Sequence, residues 1–180
     1  MKNSVSLFFV LLLVALGSVA CKVKEEFHET PTITISYFYC NPVLDASGKV
    51  VSAEDTLAWR YDENSSSYIL DTLAMKDSIR VVFAAGFLSH GNNLVSCLFD
   101  YDTAQLSVHL GLTSEILNAA VPPTDTAACR LYFPPGYNAL GFPVTYRART
   151  TGALPLTLTV HSDAGESYSP VSIRLVQPVK

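Results

Sequence analysis

Along most of this chain apolar and polar residues alternate with a period of two. A period of two fits an extended strand, whose successive side chains point to opposite faces, and cannot give a helix one apolar face. In Thr32–Tyr39 the residues Ile33, Ile35, Tyr37 and Tyr39 share one side, against Thr32, Thr34 and Ser36. Leu57, Trp59 and Tyr61 alternate with Thr56, Ala58 and Arg60. Val95, Cys97, Phe99 and Tyr101 recur at every second position, as do Leu106, Val108 and Leu110, and then Val144, Tyr146 and Ala148. The last hairpin is the clearest: Leu156, Leu158 and Val160 run out to the turn at Asp163–Glu166, and Val171, Ile173 and Leu175 return. Tyr68–Leu73, Ile79–Ala85 and Arg130–Phe133 are further β-rich runs.

Turn residues such as Asp45-Ala46-Ser47-Gly48, Asn64-Ser65-Ser66-Ser67 and Gly91-Asn92-Asn93 separate these runs. Only Thr113–Ala120 has a helical signature, with Thr113 as cap, Glu115 in the first turn and Pro122-Pro123 as the stop. About nine strands with one short helix predict an all-β fold, an Ig-like β-sandwich in the loose sense. A closed barrel is the alternative, because its alternation looks the same. Residues 31–180 hold no repeat and no linker that would divide them, so they read as one domain.

The first twenty residues read differently. Lys2 precedes the apolar run Leu7–Leu16, and Gly17-Ser18-Val19-Ala20 supplies small residues before Cys21. That is the order of a secretory signal peptide, and the run is shorter than the roughly 20 residues of a membrane-spanning helix. Ser18-Val19-Ala20-Cys21 resembles a bacterial lipobox, in which the cysteine is acylated and becomes the new N-terminus. Ser18 stands where that motif usually has a large aliphatic residue, and Ser18-x-Ala20 also suits ordinary cleavage to a periplasmic or secreted protein. The expected organisation is a signal over 1–20, a lipidated tether over 21–30 and the β domain over 31–180. Lys24-Glu25-Glu26, just past the anchor, resembles the export signal of Bacteroidetes-type surface lipoproteins. The resemblance implies a membrane association through the lipid on Cys21 and display on the outer face of the outer membrane. The plainer reading of the cluster is a solvated, charged linker.

Three cysteines remain, Cys40, Cys97 and Cys129, spaced 57 and 32 residues apart, and their disulfide pairing is left open. Structural zinc sites need short paired spacings, so no metal site is expected. Cys97 reads as a small buried hydrophobe. The formal net charge of -4 and the lack of a basic cluster argue against a nucleic-acid partner. No zinc-protease, nucleophile-elbow, phosphate-loop or dinucleotide motif occurs, so neither a cofactor nor an enzymatic activity is expected. Ser89 and His90 are neighbours, and neighbours on a strand point apart. His109 and His161 fall on polar faces, and Asp100 and Asp102 mark a strand end.

Two features remain as functional candidates. The aromatics Trp59, Tyr61, Tyr137 and Phe142 fall in segments rich in charge, proline or glycine, where rings serve as flat platforms for sugars or as protein interfaces. Core packing is the competing reading for each and the favoured one for Trp59. The second feature is a triplet of Asp, then Ser or Thr, then a small or apolar residue, which occurs five times, with hydroxyls at Thr56, Thr72, Ser78, Thr103 and Thr126. Composition alone predicts about one. The triplet resembles the acceptor motif of Bacteroidetes O-glycosylation, although Asp at a turn followed by β-branched Thr is also how strands start. The functional expectation is a surface-anchored, non-catalytic binding module with a glycan or an envelope protein as partner. A structural or adhesin-like envelope subunit is the alternative, and an enzyme the remote one.

Overall fold

The structure, a computed structural model, describes residues 29–46, 50–52, 55–75, 80–112, 129–133, 135–164 and 170–180. It is all-β there, with no helix among the described residues. The strands are β1 (Thr32–Cys40), β2 (Val43–Leu44), β3 (Val50–Ser52), β4 (Asp55–Thr56), β5 (Trp59–Asp62), β6 (Ser67–Leu70) and β7 (Val81–Leu88). Then come β8 (Leu94–Tyr101), β9 (Leu106–Leu110), β10 (Arg130–Tyr132), β11 (Ala139–Ala148), β12 (Gly152–Ser162) and β13 (Val171–Val179). Several of those beyond the expected nine are two or three residues long, too short for alternation to show. The helix expected over Thr113–Ala120 lies outside the described residues, as do Cys21 and Lys24-Glu25-Glu26.

Two open sheets carry the fold. One has the order β4-β1-β7-β11-β9, the other β10-β8-β12-β13-β6-β5, and β2 and β3 make a separate small ribbon. Open sheets exclude the closed barrel. Among the described residues all strand pairings are antiparallel except β13 with β6, and an isolated parallel bridge joins Leu73 to Val179. One hydrophobic core draws from both sheets: Phe38, Phe83, Val144 and Tyr146 from the first, and Phe99, Leu131, Leu158 and Val160 from the second. The expected inward sets Leu156, Leu158, Val160 and Val144, Tyr146 are indeed buried. Burying such side chains contributes roughly 1.5–3 kcal/mol each, which is what holds the layers together. A polar tie crosses between them. The Tyr146 hydroxyl donates to Gln177 Oε1 at 2.8 Å, and Gln177 Nε2 donates to the Asp71 carbonyl. Burial pushes the Tyr146 phenol well above its ordinary range.

The alternation misleads in three places. The register of β1 on β7 shifts between Ile35 and Phe38, so one extra residue sits on β1. Such a bulge reverses the phase of everything after it. Ile33 and Ile35 therefore face inward as expected, but Phe38, not Tyr37 or Tyr39, enters the core. A second shift, between His161 and Ser162 of β12, skips Val95 on β8. Leu94 is buried and Val95 is exposed, while Cys97 and Phe99 keep their inward side. Third, Leu57 is buried but Trp59 and Tyr61, two and four positions on, are half-exposed. Between β4 and β5 the chain passes from one sheet to the other, so these residues do not share a strand.

Candidate functional site

β5 and β6 form a hairpin whose turn is held by its own side chains. Asp62 Oδ1 accepts the Asn64 N–H at 3.1 Å and Asp62 Oδ2 accepts the Ser65 hydroxyl at 2.8 Å. These two bonds, the hydroxyl first, hold the Asp62 carboxyl below its ordinary range. The Ser67 hydroxyl donates to Ser65 O at 2.8 Å, and Ser66 takes the left-handed conformation at φ 48°. Register then places Tyr61 opposite Tyr68 and Trp59 opposite Leu70. Directly opposed residues share a face, and Leu70 is buried, so all three rings lie on the inner, core-side face of their sheet. Tyr68 is the hub, with ring centroids 5.1 Å from Trp59 and 5.1 Å from Tyr61, in edge-on and tilted arrangements.

An inner face is normally covered, but here it is not. β1 packs over β13, and β6 and β5 lie beyond it. The six-stranded sheet thus overhangs the five-stranded one and leaves Trp59 53% and Tyr61 50% exposed. Between the β1 edge and this shelf opens a cleft of about 240 Å³, lined by Ile33, Ile35, Phe38, Trp59, Tyr68 and Leu175 among others. The expectation that Trp59 is a core residue is corrected by this offset between the layers. Tyr68 completes the site and was not singled out from sequence; its place opposite Tyr61 follows from the hairpin turn.

The other candidates fall elsewhere. Phe142 is not a surface ring. It is buried between Phe87 and Phe99, with centroids 6.0 Å from each, because its position on β11 faces the core. Tyr137 is half-buried in the β10–β11 connection, tilted on Phe133 at 5.9 Å, with its carbonyl accepting the Leu94 N–H. Neither joins the shelf. Of the triplet hydroxyls, Thr56, Thr72 and Thr103 are exposed, and Ser78 and Thr126 lie outside the described residues. Asp102 Oδ1 accepts the Ala104 N–H at 2.8 Å, which is a turn-forming role for that triplet's aspartate.

Ser89 and His90 point to separate partners. Ser89 is buried, its hydroxyl within hydrogen-bond reach of the Asn92 and Asn138 carbonyls at 2.5 and 2.9 Å. His90, at φ 50°, places Nε2 2.6 Å from Thr32 Oγ1 and Nδ1 3.4 Å from Glu29 Oε2. A hydroxyl, an imidazole and a carboxylate in series have the order of a nucleophile relay. The Glu29 side chain is 70% exposed, however, so solvent screens its field at the ring, and the trio ties the start of β1 to the β7–β8 turn. His109 is exposed and His161 half-buried. No group of three or more metal-ligating side chains occurs among the described residues. Burial pushes the Cys97 thiol up to about 12. Among the described residues no helix is long and apolar enough to cross a membrane.

No family model and no curated protein matches the sequence. Among solved structures, a secreted serine protease, VesC from Vibrio cholerae, matches at 11% identity and a TM-score of 0.35, over 68% of this chain and 23% of that one. The chain therefore spans about a quarter of that protein's length, and a likeness at this level carries no argument about activity.

Proposed function

We propose that this chain is a non-catalytic binding module, Ig-like in its layered strand arrangement, held at the bacterial surface by a lipid on Cys21. The observation that carries the binding role is the Trp59–Tyr61–Tyr68 shelf. Two large rings stand half-exposed on a face that the fold otherwise buries, beside a cleft with apolar walls. Leaving such rings uncovered forgoes burial energy that a ligand can recover. Surface lipoprotein status rests on the lipobox-like Ser18–Cys21 segment and on Lys24-Glu25-Glu26, and exposed Thr56, Thr72 and Thr103 suit O-glycosylation.

Trp59 is the one tryptophan of the chain, so intrinsic fluorescence reports on the shelf directly. Glycan arrays and envelope-protein extracts screened against the purified domain should yield a ligand that shifts Trp59 emission and is lost in Trp59→Ala. A ligand that binds Trp59→Ala as well as the parent would remove the shelf from the function. Anchoring is tested separately: Cys21→Ala should move the protein from the membrane to the soluble fraction. Alanine at Lys24, Glu25 and Glu26 should end its accessibility to protease added to intact cells.

A further inference from the structure

The shelf has the outline of a missing strand. β4 pairs with β1 only at Tyr39 and Cys40, and the Leu57 N–H extends that contact to the Phe38 carbonyl. From Thr32 to Tyr37 no strand pairs with the outer side of β1 among the described residues. An unpaired strand edge is a template for another strand, and proteins usually guard it with charge or proline. One outermost strand of the other sheet, β5, is guarded in that way by Arg60 and Asp62. Thr32–Tyr37, Thr-Ile-Thr-Ile-Ser-Tyr, has neither; its one guard is the bulge after Ile35, which leaves Thr32–Ile35 as the regular part of the edge.

The overhang lies directly beneath this edge. A strand continuing the line of β4 along β1 would extend the five-stranded sheet over β6 and β5. Its alternate side chains would drop into the cleft onto Trp59, Tyr61 and Tyr68, beside Ile33 and Ile35. The other residues would face solvent, in line with Thr34 and Ser36. Backbone hydrogen bonds along β1 and side-chain burial on the shelf are thus offered together, as strand addition requires.

We infer that the shelf receives a single extended segment of a partner protein, added to the outer edge of β1 with apolar side chains at alternate positions. This rests on the binding reading above and commits it to a peptide instead of a glycan. A second copy of this chain does not fit. Joining β1 to β1 would drive the partner copy's overhanging β5 and β6 into the space held by β6 and β13 of the first. A lone strand brings no second layer and meets no such clash. The existing β4–β1 pairing is the start of the interface, which the added strand prolongs toward Thr32.

The test uses the full mature protein and a library of immobilised peptides of about nine residues, apolar and polar in alternation, with non-alternating shuffles of the same composition. Alternating members should bind and shift Trp59 emission. N-methylation of every second backbone amide in a binder, on the side that faces β1, should weaken it roughly tenfold or more, because each removes a backbone hydrogen bond to the edge. Hydrogen exchange should slow at Thr32–Tyr37 on binding. Three results would overturn the inference: shuffles bind as well, N-methylated peptides bind unchanged, or the Thr32–Tyr37 amides facing away from β7 are already protected without peptide. A glycan that shifts Trp59 emission and leaves those amides unchanged would sink the strand while keeping the shelf as a binding site. Loss of peptide capture and of the exchange slowing at Thr32–Tyr37 in Trp59→Ala, with exchange protection intact elsewhere, supports the inference and excludes unfolding as the cause.

Discussion

Two of the three-ring aromatic clusters among the described residues differ in what lies opposite them. Phe87, Phe99 and Phe142 meet across the two sheets at centroid distances of 6.2, 6.0 and 6.0 Å and are buried. Trp59, Tyr61 and Tyr68 meet within one sheet at 5.1 and 5.1 Å, with two of the three half-exposed. Ring geometry alone does not separate core from surface. The first cluster is filled from both layers and so stabilises the fold; the second is offered by one layer and is available to a ligand.

That contrast is open to direct attack. Phe99→Ala should cause the largest loss, about 3–5 kcal/mol of unfolding free energy, since it empties a site packed from both sheets. Denaturant titration checks it; a loss below about 1 kcal/mol would mean that this cluster is no more a core than the shelf. Tyr146→Phe should cost roughly 1–3 kcal/mol, because it leaves Gln177 Oε1 buried without its hydroxyl donor. The double variant Tyr146→Phe with Gln177→Leu should recover part of that loss, and a double variant worse than the sum would contradict the tie between the layers.

The buried layer should also answer to alkaline pH. Cys97 is raised from 9.0 to about 12 by burial. Tyr101 is raised from 10.0 to about 12, by burial first and then by its contact with Cys129. In each case the unfolded chain loses its proton first, so from pH 9.0 upward the folded state binds more protons and stability falls. The contribution is complete below pH 9.0 and is lost as pH rises toward about 12. Thermal melts across that window should decline less steeply in Cys97→Ala; an identical slope would remove the thiol from the account. The smallest stability effect is expected at the shelf. Trp59→Ala should change unfolding free energy by no more than about 2 kcal/mol, below the loss in Phe99→Ala, since half of the ring is already in water. A loss comparable to that of Phe99→Ala would make Trp59 a core residue after all and dissolve the contrast.

Much of the fold was legible in the sequence. Leu156, Leu158, Val160, Val144 and Tyr146 alternate in long strands and are buried. Of the site, Trp59 and Tyr61 were legible as paired rings, Tyr68 was passed over, and Phe142 was placed on the wrong side. Proximity to proline and glycine marks a connection but says nothing of the face a ring takes on the strand that follows. Cys97 was read correctly as buried through the same alternation that misplaced Val95, because Val95 is itself the residue the register shift skips.

The sequence by itself determined that this chain folds into strands, since period-two patterning, β-branched residues and turn chemistry are local and are satisfied within a few residues. It did not determine that β1 loses phase after Ile35 and β8 at Val95, because a bulge is defined by the count of residues on the opposing strand, which comes from elsewhere in the chain. Nor did it determine that β5 and β6 overhang β1. That offset depends on which strands share a sheet and on how two sheets of five and six strands superpose, both set by contacts far apart in sequence. Trp59 and Tyr61 carry an inward pattern, and only the width of the facing layer left them in the open.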